Sequence, residues 1–420
     1  MASRRQNLAR TNGIGLALVL SLMLAIFGAQ VAQAETFNVL YNFTGGADGS
    51  NPYSGLTIDG AGALYGTTLA GGTGHGTVFK LAKSGSSWVF TTLYTFAGGN
   101  DGASPRTRVI FGSNGNLYGE TTAGGGTGCG GRGCGTIFKL KRPCPICTAW
   151  TEVVLYRFAG APAGDGSEPI GDLIFDASGN LYGTTVQGGK PHSCGGAGCG
   201  TVFKLAHSGG TWTETVLYQF LGLTDAAFPN GGVIFDASGN LYGTTCCGTL
   251  SNSGTVFELT PEGGSWSEKI VYTFHGTSDG KEPVAGLMFD SLGNLYGTTI
   301  FGGSGLGGTV FKLTPSGGSW TFGLMYSLSG VLGSYGTLTK DAAGNLYGTT
   351  FQDGLHRYGS TFKLTSSGGS WTYGSLHDFT DGSDGGFASS NLILDSSGNL
   401  YGTAALGGTH GFGVVVQITP

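Results

Sequence analysis

Asp48, Asp101, Asp165, Asp225, Asp279 and Asp384 recur at equivalent places in a repeating sequence. Most are followed by glycine and then, three residues on, by proline, as in "DGSNP" and "DGKEP". A ring of six carboxylates could hold a divalent cation or the hydroxyls of a sugar. The same residues in a turn would each bond their own backbone. The turn is the simpler role, because a residue present in nearly every copy meets a need of the fold. Histidines are few and uneven. His75, His356 and His410 stand in one class of loop, in copies that become neighbours if the repeats close into a ring. Three imidazoles could hold zinc or move protons, although the spacing between copies argues against a shared metal. Arg106, Arg108, Arg357 and Tyr358 are residues that do not repeat, in the loops on one face of such a ring. No cofactor and no bound metal is expected, a cation on the aspartates being the sole candidate. There is no G-x-S-x-G elbow and no H-E-x-x-H, and "GGTGHG" joins two strands rather than opening a helix, so it is no phosphate loop.

Cysteine numbers eight. Cys129/Cys134 ("CGGRGC") and Cys194/Cys199 ("CGGAGC") bracket equivalent loops and predict two short disulfides. Cys144/Cys147 ("CPIC") and the adjacent Cys246/Cys247 are further disulfide candidates, the last pair open between a strained ring and two thiols.

These residues need a scaffold, and the repeat supplies it. Leu-Tyr-Gly occurs seven times, with its tyrosine at Tyr65, Tyr118, Tyr182, Tyr242, Tyr296, Tyr347 and Tyr401. Each unit reads as four short strands rich in β-branched and aromatic residues. In the third unit, strand A is expected at Asp172 to Phe175, B at Asn180 to Thr185, C at Thr201 to Leu205 and D at Trp212 to Phe220. "DASGN" makes the A–B turn. Seven four-stranded units predict an all-β, seven-bladed propeller. The chain opens on an orphan strand D, Thr36 to Phe43, and closes on an orphan strand C, Gly413 to Pro420. Pairing them would close the ring and remove its exposed edges. Trp88, Trp150, Trp212, Trp266, Trp320 and Trp371 each precede the Leu, Val or Met of strand D by five residues. One register in six copies indicates packing between blades.

The string "LYxF…DGxxPxxGLIFDASGNLYGTTxxGG…GTVFKL" resembles the Gloeobacter/Verrucomicrobia-type (GloVer) tandem repeat of secreted bacterial proteins, over essentially all of residues 36–420. The resemblance implies export and a repeated β fold, and it carries over no catalytic residues.

Residues 1–34 have a basic start at Arg4, Arg5 and Arg10, an apolar run from Ile14 to Phe27, and an Ala32-Gln33-Ala34 cleavage site. They read as a signal peptide, leaving a single domain over 35–420 in the periplasm or outside the cell. The mature chain would carry 17 basic against 25 acidic residues, which argues against nucleic acid. No later run suits a membrane span, and a monomer is expected. The expected function is a non-catalytic binding or structural propeller meeting extracellular polysaccharide or a surface protein through its D–A and B–C loops, which share one face. The alternative is a hydrolase or lyase acting on extracellular polysaccharide. A pair of carboxylates, or a His/Arg/Tyr cluster, facing the central cavity would mark it.

Overall fold

Why seven copies of Leu-Tyr-Gly recur becomes clear when each residue is placed in the blade. The computed structural model describes residues 35–144, 149–222, 225–249 and 251–420. The expected leader over 1–34, with its cleavage near Ala34, and Cys147 lie outside them. Each blade is an antiparallel sheet in the order A-B-C-D. In blade 3 strand A is Ile174–Phe175, B is Leu181–Gly188, C is Thr201–Ser208 and D is Thr211–Gln219. Strand A, nearest the axis, is two residues shorter than expected, because only Ile174 and Phe175 find ladder partners, on Tyr182 and Leu181.

The motif then reads as a set of contacts. Asp176 accepts the backbone N–H groups of Ser178 and Asn180, the Asn180 amide and the Tyr182 hydroxyl, which pins the A–B hairpin. Leu181 is fully buried. Gly183 lies beneath Phe203 of strand C, and a Cβ there would come within 2.6 Å of the ring. Five other blades repeat that glycine–phenylalanine contact, so the glycine of Leu-Tyr-Gly exists to admit the phenylalanine of "GTVFKL". The Thr184 hydroxyl donates to the carbonyl of Gly231 in the next blade, and Thr185 pairs with Thr201 across the B–C hairpin. Gly209 and Gly210, both at positive φ, turn strand C into D, as a two-residue hairpin requires.

Blades are joined by aromatic rings. Trp88 meets Tyr401, Trp212 meets Tyr118 and Trp320 meets Tyr242, each across a blade boundary. Trp150, Trp266 and Trp371 enter the clusters of Tyr65, Tyr182 and Tyr296. The tryptophans are thus interblade packing residues. Two positions after each, strand D meets the strand D of the preceding blade. Here Phe90 stacks on Tyr41, Phe322 on Tyr272, Tyr373 on Tyr326 and Phe37 on His377. In blades 2, 3 and 4 the residue is instead Glu152, Glu214 or Glu268.

The ring closes as the orphan strands foretold. Thr36–Asn42 pairs antiparallel with Val414–Thr419, from Thr36 opposite Thr419 to Asn42 opposite Val414. Blade 7 therefore takes its outer strand from the start of the chain. Among the described residues no helix is long and apolar enough to cross a membrane.

Candidate functional site

The D–A loop carries the chain inward from the rim to the axis and there meets a central channel, a cavity of about 540 Å³. Along this approach residues alternate between wall and scaffold. In blade 1, Pro52, Ser54 and Leu56 are buried, while Asn51 and Tyr53 are partly exposed. The prolines pack on the B–C glycine of the preceding blade, as Pro52 does on Gly413 and Pro229 on Gly200. The residue following the proline, or following Ser334 and Ala388 in blades 6 and 7, faces the channel. Around the ring it is Tyr53, Arg106, Ile170, Asn230, Val284, Tyr335 and Ser389. Two positions on, Gly55, Arg108, Asp172, Gly232, Gly286, Thr337 and Asn391 form a second ring. Ile58, Ile174 and Ile234 of the A strands continue the lining.

Three charged side chains line this cavity, and two cancel. Arg108 Nε lies 2.8 Å from Asp172 Oδ2, and the Arg108 backbone N–H donates to Asp172 Oδ1 at 3.2 Å. Arg106 is exposed, makes no ion pair among the described residues, and lies over the Tyr53 ring at 5.3 Å. Burial pushes the Tyr335 hydroxyl's pKa up, the Glu282 carboxylate adds to the rise and the Arg106 guanidinium opposes it. Behind Asp172 sits Glu120, 1% exposed, with neither carboxylate oxygen bonded. Burial first, and the Asp172 charge second, hold its pKa well above the usual carboxylate value, which favours the protonated form. Six blades have threonine at this place, each hydroxyl donating to a carbonyl of the next blade.

The expected site residues divide sharply. Arg106 and Arg108 are in the channel. The six aspartates are not arranged around it; local bonds engage them all. Asp48, Asp101, Asp165, Asp225 and Asp279 each accept a hydroxyl from strand D, from Tyr41, Tyr94, Tyr156, Tyr218 and Tyr272, and Asp384 bonds His377 Nε2 at 2.9 Å. Each also accepts a backbone N–H from the start of its own loop, as Asp48 does from Thr44 and Asp279 from His275. Blade 6 lacks that aspartate, and the buried Asp353 of its B–C loop bonds Ser329 of the adjoining strand D instead. His75 is half-buried against Gly98, and His356, Arg357 and His410 are exposed on B–C loops. Among the described residues no three His, Cys, Asp or Glu side chains are placed to hold a metal ion. Tyr358 is 37% exposed and sits edge-on to Phe387.

Cys129–Cys134 and Cys194–Cys199 are disulfides, each against a glycine of the next D–A loop, Gly160 and Gly222. Cys144 is disulfide-bonded. Cys246 and Cys247 depart from the disulfide expectation: both are thiols, with sulfurs 2.7 Å apart. Adjacent Cα atoms across a trans peptide are about 3.8 Å apart, shorter than a relaxed disulfide spans.

Tyr53, Asn230, Tyr335, Asp172, Asn391 and Glu120 escaped the sequence reading. The signal was present, however. With the repeats aligned, the residue after the proline position differs in almost every copy, and the one two beyond is glycine in three copies and different in each of the other four.

The Gloeobacter/Verrucomicrobia repeat model matches residues 25–196, 131–336 and 254–420 in overlapping stretches. No curated protein matches the sequence. Among solved structures, the extracellular domain of a one-component system from B. thetaiotaomicron is similar at 13% identity and a TM-score of 0.53, over 91% of this chain and 39% of that one. This chain thus spans about two fifths of that protein. A polysaccharide lyase, an ulvan lyase solved with a bound -[GlcA(1-4)Rha3S]- saccharide, is similar at 12% identity and a TM-score of 0.53, over 88% of this chain and 93% of that one. At these identities the likeness is one of fold.

Proposed function

The chain belongs to the Gloeobacter/Verrucomicrobia repeat family, and we propose that its propeller is an exported binding module that takes extracellular polysaccharide at the D–A mouth of the central channel. One observation carries this reading. In a chain whose scaffold repeats almost residue for residue, the first channel-facing position carries six residue types in seven blades, and the second, glycine in three blades, carries four different residues in the others. A fold requirement would recur seven times; an asymmetric ligand needs seven different neighbours. The lining mixes apolar surface with a few converging polar groups, as ligand sites do, at a volume typical of them. The two disulfides fit an oxidising compartment.

The test is a glycan and cell-wall array probed with the mature chain beside Tyr335→Ala and Arg106→Gln. Binding to a polysaccharide that weakens about tenfold or more in both variants is the expected result. Binding unchanged in both would place any ligand elsewhere and end the channel reading.

A second reading has a specific observation behind it. Tyr53, Arg106 and Tyr335 form an Arg/Tyr cluster facing the cavity, the feature that would mark a polysaccharide-acting enzyme, and a lyase shares the fold. New reducing ends or unsaturated sugar products from an acidic polysaccharide incubated with the protein, absent with Tyr335→Phe, would favour catalysis over binding alone.

A further inference from the structure

Four aromatic rings make an unbroken line on the D–A face. Tyr335 in the channel meets Phe351 at 5.3 Å between centroids, Phe351 meets Phe387 at 5.2 Å, and Phe387 meets Tyr358 at 5.6 Å. The line leaves the channel along the boundary of blades 6 and 7. Phe351 and Phe387 are half-buried, and Tyr358 is the exposed outer end. Phe387 stands at φ 60°, as the equivalent loop residues Asn51, Ser104, Glu168, Phe228 and Glu282 also stand at positive φ.

Both ends of the line carry a free cation. Arg106 lines the same channel as Tyr335, and Arg357 directly precedes Tyr358; neither arginine has a carboxylate partner among the described residues. The nearby acids are engaged. Glu282 lies 3.3 Å from the Lys281 ammonium, and Asp353 is buried against Ser329 and Gly354. Arginine matches the planar carboxylate, two donors to two acceptors. Aromatic faces suit the apolar faces of sugar rings. Stacked bases could also use such rings, but nucleic acid needs a cation for phosphate after phosphate, and this line of rings carries two, in an acidic protein.

We infer that the line from Tyr335 to Tyr358 is the track of an acidic oligosaccharide, with sugar rings laid along the four aromatics and carboxylates paired by Arg106 and Arg357. This rests on the channel-mouth reading and deepens it, by giving the ligand a charge and a direction out of the channel.

The experiment is calorimetric titration of the mature protein with a panel of uronate tetrasaccharides and their carboxyl-reduced, neutral counterparts. The variants are Arg106→Gln, Arg357→Gln and Tyr358→Ala, with circular dichroism to confirm folding; Arg357 and Tyr358 are exposed enough for substitution to leave the blade intact. At least one acidic tetrasaccharide should bind. Each arginine variant should lose about tenfold for it, the share of one charge-assisted hydrogen bond, and nothing for the neutral sugar. Tyr358→Ala should weaken both sugars. Equal binding of acidic and neutral sugars, lost in Tyr335→Ala, would overturn the charge assignment while the channel reading stands. Loss in Arg106→Gln with no change in Arg357→Gln and Tyr358→Ala would confine the ligand to the channel and overturn the track. Failure of every saccharide, or binding of a surface protein instead, would overturn both.

Discussion

Glu120 is the residue that most needs an explanation. A buried polar group without a partner costs on the order of 1–3 kcal/mol, and six blades avoid that cost with a threonine. Its raised pKa means that the folded protein keeps a proton which the unfolded chain releases near 4.5. Stability is therefore full below that pH and is lost as pH rises. Glu120→Gln should match the parent protein in stability at pH 4 and exceed it at pH 8 by on the order of 1–3 kcal/mol, read from denaturant melts at both pH values. A Gln variant no more stable than the parent at pH 8 would show that the carboxyl is satisfied in solution. Its neighbour Asp172 forms part of the channel wall, so the same variant links the fold's oddest residue to the site.

At the scale of the strand, three blade boundaries differ from the other four. Glu152, Glu214 and Glu268 take the place of a stacked aromatic, each with one carboxylate oxygen buried and unbonded. Each faces a tyrosine–aspartate pair of the preceding blade, Tyr94–Asp101, Tyr156–Asp165 or Tyr218–Asp225. Arg157 also acts on Glu152, in the opposite sense. Burial, then the facing aspartate, pushes each pKa up to about 7. The folded state again holds protons that the unfolded chain gives up, so the whole protein should lose stability as pH rises from about 4.5 to 7. The glutamates remain partly in contact with water, so screening trims each share to on the order of 1 kcal/mol. The triple Glu→Gln variant should flatten the dependence, and melts across that range would show it. Hydrogen exchange should place the weakening at blades 2 to 4, because blades 5 to 7 and 1 meet through stacked rings.

The whole molecule depends on one pairing of distant chain segments. Deleting Thr36–Asn42 removes the outer strand of blade 7 and exposes the edge of Val414–Thr419, together with the cluster around Phe37 and Val39. The loss should lower the melting temperature of the entire domain in a single transition, rather than fray one blade. A truncated protein that melts as the parent does would show that closure contributes little.

Seven Leu-Tyr-Gly tyrosines, six tryptophans at one register and two orphan strands were enough to read the blade count, the interblade packing and the closure, because these follow from local pattern repeated along the chain. The two B–C disulfides were legible for the same reason, since each joins residues five apart. Arg106 and Arg108 were noticed as residues that do not repeat. The six aspartates make the local loop bonds that the simpler of their two readings called for, because a residue repeated in nearly every blade serves the fold. What the tertiary structure alone decided was convergence. Tyr53, Arg106 and Tyr335 lie in blades 1, 2 and 6, and Phe351, Phe387 and Tyr358 join across a blade boundary. Only closing the ring brings such residues together, because a channel forms where seven loops meet and no single repeat contains it.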